Sequence, residues 1–158
     1  MEKQYLTGGW FEDYIYDLLK QKLRLSNTDI GKGIEIKRKN ERGETVENEL
    51  DIVFTYYNQL YVIECKAGLQ GPKSFRQTKN IKKSFEEAIY KLKALQSEFG
   101  LIPRSYLFTL DNNIFIDHGS LNPQFIKRAS MHRVTIISPK EIKTGLDQFI
   151  RQLKKSIK

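Results

Sequence analysis

The feature that most constrains the fold is a pair of apolar segments, residues 50–57 and 60–63, separated by only two polar residues. Both segments are rich in β-branched and aromatic residues, which is typical of two strands joined by a tight turn. With a two-residue loop at Tyr57-Asn58, Tyr56 faces Gln59 across the hairpin. Because the hairpin is apolar on both faces, we expect a central strand pair covered by helices on each side.

Three charged residues interrupt one face of this hairpin, at one end of the pair. In the register above, Asp51 lies directly opposite Glu64, with both side chains on the same face. Lys66 joins that face because side chains alternate along a strand. A shift of one residue in the register would place the two acids on opposite faces. The other face is predicted to carry Leu50, Ile52, Phe54, Tyr61, Ile63 and Cys65.

This placement of charge predicts a metal site. Charged groups in an apolar strand pair are costly unless they are paired or bound to a metal. Two facing carboxylates repel each other, and hard oxygen ligands favour Mg²⁺ or Mn²⁺ between them. Such a cation acidifies a bound water and offsets charge on a phosphate, while a neighbouring lysine orients or deprotonates that water. We therefore expect phosphodiester hydrolysis with Asp51 and Glu64 as metal ligands and Lys66 acting on the water.

The whole chain is predicted to be one α/β domain spanning residues 1–158, with a mixed sheet between helices. Its net charge of +8 favours a polyanionic partner, with nucleic acid as the first candidate and an anionic membrane surface as the second. No apolar run approaches the roughly 20 residues that span a bilayer, so we expect no membrane insertion. A single cysteine, Cys65, suits a reducing cytoplasm.

Hydrophobic periodicity predicts the element order αβββαβαβα. The first helix covers residues 10–24 with Phe11, Tyr14, Ile15, Leu18 and Leu19 buried, and residues 26–33 form a loop. Strands are predicted at 34–39, 46–57, 60–66, 105–110, 114–116 and 134–137. Further helices are predicted at 81–99, from 123 onward with Phe125, Ile126 and Ala129 buried, and at 140–157 with Ile142, Leu146, Phe149, Ile150 and Leu153 buried.

Glu12 and a series of basic residues are further candidates for the site. Glu12 sits at the edge of the first helix's buried stripe, where it can look into a site between that helix and the sheet. The alternative is a first-turn acid that caps the helix at Gly9 and complements its dipole. The basic residues form either a phosphate-binding rim or a solvated basic face; they are Lys73, Arg76, Lys79, Lys82 and Lys83.

Asp51, Glu64 and Lys66 resemble the two acids and the lysine of the PD-(D/E)XK nucleases, whose restriction-endonuclease-like core has the order αβββαβ, and Glu12 resembles their additional helix acid. The resemblance is closer still to one branch, the C-terminal nuclease domain of CRISPR-associated nucleases activated by cyclic oligoadenylates. Three stretches resemble the motifs of that branch: Gly8-Gly9-Trp10-Phe11-Glu12, Asn48-Glu49-Leu50-Asp51 and Tyr61-Val62-Ile63-Glu64-Cys65-Lys66.

The resemblance implies a metal-dependent endonuclease, often a homodimer, acting on DNA with RNA as a second substrate, in CRISPR-linked antiviral defence. It implies Asp51, Glu64, Glu12 and the backbone carbonyl of Cys65 as ligands for Mg²⁺ or Mn²⁺, and Lys66 as the catalytic lysine. The 158 residues leave no room for that branch's N-terminal sensor domain, so we expect any sensor to be a separate domain or protein. Residues 99–102 also lack the branch's paired glycine.

Two other functions remain open at this point. One is a non-catalytic nucleic-acid-binding module on a nuclease fold, which predicts salt-sensitive binding without cleavage. The other is a junction resolvase or repair nuclease, because those enzymes are also small and basic. Facing carboxylates argue against the first, since a pure clamp has little use for them.

Overall fold

A five-stranded mixed β-sheet with helices on both faces forms the protein. The computed structural model describes residues 8–39, 42–69, 77–98, 103–116 and 120–155. The helices are α1 (Trp10–Leu23), α2 (Gln77–Glu98), α3 (Pro123–Met131), α4 (Pro139–Lys143) and α5 (Asp147–Lys155). The strands are β1 (Ile30–Lys39), β2 (Thr45–Tyr56), β3 (Gln59–Lys66), β4 (Arg104–Thr109), β5 (Phe115–Ile116), β6 (Ser120–Leu121) and β7 (Val134–Ile137).

The strand order in the main sheet is β1-β2-β3-β4-β7. The first three strands are antiparallel, and β4 and β7 then add in parallel. β5 and β6 pair separately as a short ribbon. The elements α1 to β4 therefore run αβββαβ, and the predicted α/β fold with a mixed sheet flanked by helices is confirmed.

The hairpin between β2 and β3 has the predicted register. Tyr56 pairs with Gln59, and the two loop residues, Tyr57 and Asn58, have φ values of 48° and 58°. Two successive left-handed residues are the signature of the turn that matches the twist of a two-residue hairpin. Because β1 flanks β2 and β4 flanks β3, the hairpin lies inside the sheet, as predicted.

The sheet separates two hydrophobic clusters. On one side, α1, α4 and α5 pack over Ile52, Ile63 and Phe108. On the other side, α2 and α3 pack over Val62 and Leu107. Burial on both faces explains why β3 and β4 are nearly continuous apolar runs.

Three predicted elements have clearly different bounds in the structure, and one of them, α2, begins at Gln77 instead of residue 81. β1 begins at Ile30 instead of residue 34, because buried Ile30 pairs with Phe54 and extends the ladder into the predicted loop. The predicted last helix is two helices, α4 and α5. Gly145 and Leu146 have φ values of 71° and 61°, a left-handed step that ends a helix. The predicted stripe of this segment is nevertheless buried throughout.

Three apolar side chains were assigned to the wrong environment. Tyr14 is 44% exposed and Ile126 is 49% exposed, because the buried stripes of α1 and α3 are narrower than predicted. Leu50 packs with Val62 on the α2 side of the sheet, although alternation predicted it on the face of Ile52. This part of β2 pairs with β1 beyond the last β2–β3 pair, and two-stranded ribbons twist more strongly than wider sheets.

Candidate active site

The β2–β3 ladder ends where the charged cluster begins. The last backbone pair is Ile52 with Ile63, and the same register puts Asp51 and Glu64 one step beyond it. There, the backbone N–H of Cys65 donates to Asp51 Oδ2 at 2.8 Å. The carboxylate thus takes the place of a backbone acceptor and fixes Asp51 to β3, while its other oxygen, Oδ1, lies 2.9 Å from Lys91 Nζ.

β1 is also interrupted at this level. Lys32 pairs with Ile52 and Ile34 pairs with Leu50, so that Gly33 lies opposite Asp51. Gly33 has a φ of 61°, a conformation that costs an L-residue free energy but not glycine. Strand β1 therefore bends next to Asp51, and glycine adopts this bend without the strain that another residue would have.

The structure brings Asp51, Glu64 and Lys66 together and adds Lys91 from α2. Lys91 Nζ lies 2.9 Å from Asp51 Oδ1 and 2.5 Å from Glu64 Oε2. Lys66 Nζ lies 2.8 Å from Glu64 Oε1. Asp51 is 8% exposed and Glu64 only 1% exposed, whereas both lysines keep part of their side chains in solvent. The two acids are therefore the buried part of the cluster, and the two lysines lie between them and solvent.

Lys91 was missed by the sequence analysis. Lys91 and Asp51 are 40 residues apart, so no local sequence motif links them. The spacing on α2 did contain a signal: Lys91 is three residues after Ala88 and four before Leu95, and both of those side chains are buried. A charged residue at that spacing must lie on or beside the buried face of its helix.

Burial and mutual charge shift the ionisation of the cluster. Burial raises the pKa of the Glu64 carboxyl, the facing Asp51 carboxylate raises it further, and Lys91 and Lys66 offset these effects only in part. For Lys66 and Lys91, burial lowers the pKa of each ammonium, but the Glu64 and Asp51 carboxylates outweigh it and leave each pKa above its usual value. Both lysines are therefore cations at neutral pH.

Glu12 is an electrostatic neighbour of this cluster. Its half-buried position raises the pKa of its carboxyl, and the charges of Asp51, Glu49 and Glu64 raise it further. Helix α1, which carries Glu12, packs on the opposite face of the sheet from α2. Glu12 also lies in the first turn of α1, where an acid complements the helix dipole, so the structural alternative stays open beside the functional one.

The donor set fits a divalent cation in two respects. Oxygens of Asp51 and Glu64 both contact one cationic atom, Lys91 Nζ, so the two carboxylates converge on a common point. Glu64 Oε1 is a second buried carboxylate oxygen of this group, and the Lys66 ammonium lies 2.8 Å from it. Within those residues, no three acidic, histidine or cysteine side chains form a metal-binding group, so Glu12 does not complete one.

The comparison with protein families decides the assignment. A family model described as the Card1-like endonuclease domain matches residues 1–157. The chain belongs to the Card1-like endonuclease-domain family. No curated protein sequence matches it.

Two solved structures resemble this endonuclease domain. Protein VC1899 from Vibrio cholerae is 23% identical, with a TM-score of 0.66 over 96% of this chain and 35% of that one. Can2 from Sulfobacillus thermosulfidooxidans, solved in complex with cyclic tetra-adenylate, is 30% identical. Its TM-score is 0.59 over 93% of this chain and 37% of that one. The present chain thus spans about a third of the length of each of these proteins.

The structure describes part of the predicted basic rim, which is of interest because an endonuclease acts on a polyanion. Lys82 and Lys83 are exposed on the first turns of α2, where Lys83 lies 3.8 Å from Glu87. Lys73 and Arg76 lie outside the described residues, as does the side chain of Lys79. Of the helices in the described ranges, none has the length and apolar character to cross a bilayer.

Proposed function

We propose that this endonuclease domain hydrolyses phosphodiester bonds by the PD-(D/E)XK mechanism with Mg²⁺ or Mn²⁺. The observation that carries the proposal is the convergence of Asp51 Oδ1 and Glu64 Oε2 on one cationic atom at 2.9 and 2.5 Å. Two buried carboxylates that share a cation this closely have the donor chemistry of a hard divalent metal site.

Each residue has a distinct part in this mechanism. Asp51 and Glu64 would hold the cation, which would supply an acidified water and offset the charge that develops on the phosphate. Lys66 faces Glu64 and remains cationic, so it orients the attacking water and stabilises charge in the transition state. Glu12 adds negative potential from the α1 side as an auxiliary acid, and the Cys65 carbonyl is the proposed backbone ligand.

The substrate that we propose is DNA, with RNA as the second candidate. The net charge of +8 attracts either polyanion. Exposed Lys83 lies eight residues before Lys91 on the same helix, about 12 Å along its axis, whereas Lys82 points to the opposite side of the helix from Lys91. This arrangement supports a backbone path along α2, along which the lysines hold phosphates without reading bases.

The test is cleavage of plasmid, single-stranded DNA and RNA with Mn²⁺, with EDTA as the metal-free condition. We expect Glu64→Gln and Lys66→Ala each to lower cleavage by at least about 100-fold, because each removes a group at the reacting centre. Lys93→Ala is the matched control, since Lys93 is an exposed lysine on the same helix. Wild-type activity in either site variant would refute the proposed mechanism.

The similarity to Can2 supports a further part of the proposal, a role in CRISPR-linked defence under the control of a cyclic oligoadenylate sensor. Because the chain spans 37% of Can2, we propose that the sensor is a separate domain or protein. We also propose a homodimer. Light scattering of the purified chain tests the dimer, and cleavage with and without cyclic tetra-adenylate tests whether this domain needs an activator.

A further inference from the structure

Lys91 makes the central contacts of the charged cluster, yet the proposed mechanism gives it no part. It contacts both acids, whereas Lys66 contacts Glu64 through a different oxygen. Its side chain is 27% exposed, so the ammonium lies at the boundary between the buried acids and solvent.

The oxygens of the two acids are already occupied. Asp51 Oδ2 accepts the Cys65 N–H, and Glu64 Oε1 faces Lys66. The remaining two oxygens, Asp51 Oδ1 and Glu64 Oε2, both face Lys91. Two carboxylates and two ammonium groups also sum to zero formal charge. A divalent cation can approach both acids only after Lys91 has left the position between them.

We propose that Lys91 is a positioning residue that acts as a built-in counter-ion and competes with the divalent cation. In the free protein it holds Asp51 and Glu64 converged, which offsets their mutual repulsion. It gives up that position when a cation enters, and a substrate phosphate supplies the displaced ammonium with a new anionic partner. Cation binding and nucleic-acid binding therefore reinforce each other. This inference rests on the proposed metal-dependent function.

The side chain and its helix are suited to this movement. Lysine is a point charge on a flexible four-carbon chain, and its ammonium can turn to a new partner without a change in the backbone. The helix itself is fixed, because Ala88, Leu92 and Leu95 around Lys91 are buried in the core. The movement is therefore confined to one side chain at the solvent boundary.

The first experiment measures Mn²⁺ binding to the free protein by electron paramagnetic resonance. We expect Lys91→Met and Lys91→Gln to bind Mn²⁺ at least about tenfold more tightly than wild type, because a competing cation next to the acids is gone. Lys91→Arg keeps the charge and should remain within about threefold of wild type. The control Lys93→Met removes an exposed charge from the same helix and should change the affinity less than about twofold.

The second measurement adds an uncleavable phosphorothioate oligonucleotide. The oligonucleotide should tighten Mn²⁺ binding in wild type by about tenfold. The effect should be clearly smaller in Lys91→Met, because that variant has no displaced ammonium to pair with a phosphate. Unchanged or weaker Mn²⁺ binding in folded Lys91→Met and Lys91→Gln overturns the inference. The variant Asp51→Asn separates it from the proposed function. If the Mn²⁺ affinity falls in Asp51→Asn but is unchanged in the Lys91 variants, only the counter-ion inference is refuted. If the Mn²⁺ affinity is also unchanged in Asp51→Asn, the proposed metal site is refuted as well.

Discussion

The two oxygens of Asp51 have different partners, which makes the residue testable by paired substitutions. Oδ2 accepts the buried Cys65 N–H, and Oδ1 faces Lys91. Asp51→Asn keeps an oxygen for the N–H but loses the charge, whereas Asp51→Ala leaves a buried donor unsatisfied. Leaving a buried donor unsatisfied costs about 1–3 kcal/mol, so we expect Asp51→Ala to be about 2 kcal/mol less stable than Asp51→Asn.

For a chain of this length, 2 kcal/mol corresponds to a difference in Tm of about 4–8 °C. The assay is thermal and urea unfolding in EDTA, together with hydrogen exchange of the Cys65 amide, which should accelerate in Asp51→Ala. Both variants should lose nuclease activity. The same pair of substitutions at Asp147, whose ion pair with Lys22 is exposed, should differ by less than about 0.5 kcal/mol. Equal stability of the two Asp51 variants would refute the reasoning.

Two further substitutions test the electrostatics and the backbone of the site. Because the pKa of Glu64 is raised above 4.5, stability that is present at low pH is lost as the pH rises through its folded-state pKa. Glu64→Gln should therefore raise the Tm in EDTA at about pH 8, and this gain should vanish near pH 4; a gain independent of pH contradicts the assignment. Gly33→Ala places a Cβ on left-handed backbone and should cost about 1–2 kcal/mol in urea unfolding. A Cβ at Gly68 would face open space, so Gly68→Ala should lower the free energy of unfolding by less than about 0.5 kcal/mol. Equal losses of stability in Gly33→Ala and Gly68→Ala would contradict a strained bend at Gly33.

The hairpin was predictable because its information is local. Strand alternation and a two-residue turn leave few registers, and the observed pairing of Tyr56 with Gln59 places Asp51 and Glu64 at the same level. The predicted convergence of the acids with Lys66 follows from that register alone. Their roles as ligands and catalyst remain predictions, as do the parts of Glu12 and the Cys65 carbonyl.

Lys91 and the bend at Gly33 were not predictable in the same way. The contact between Lys91 and Asp51 depends on how α2 lies across the sheet, which no short-range pattern specifies. The break between α4 and α5 is an intermediate case. The apolar period continues through Gly145, so periodicity correctly predicts burial but cannot show that the backbone turns left-handed there.

The β-sheet is also a partition, since it keeps the α1 cluster apart from the α2 cluster. Side chains on the two sides share few neighbours, and distant, independent substitutions add their effects with little coupling. Substitutions beside Lys91 on the α2 side should therefore alter the ionic cluster with little effect on the packing of the α1 cluster.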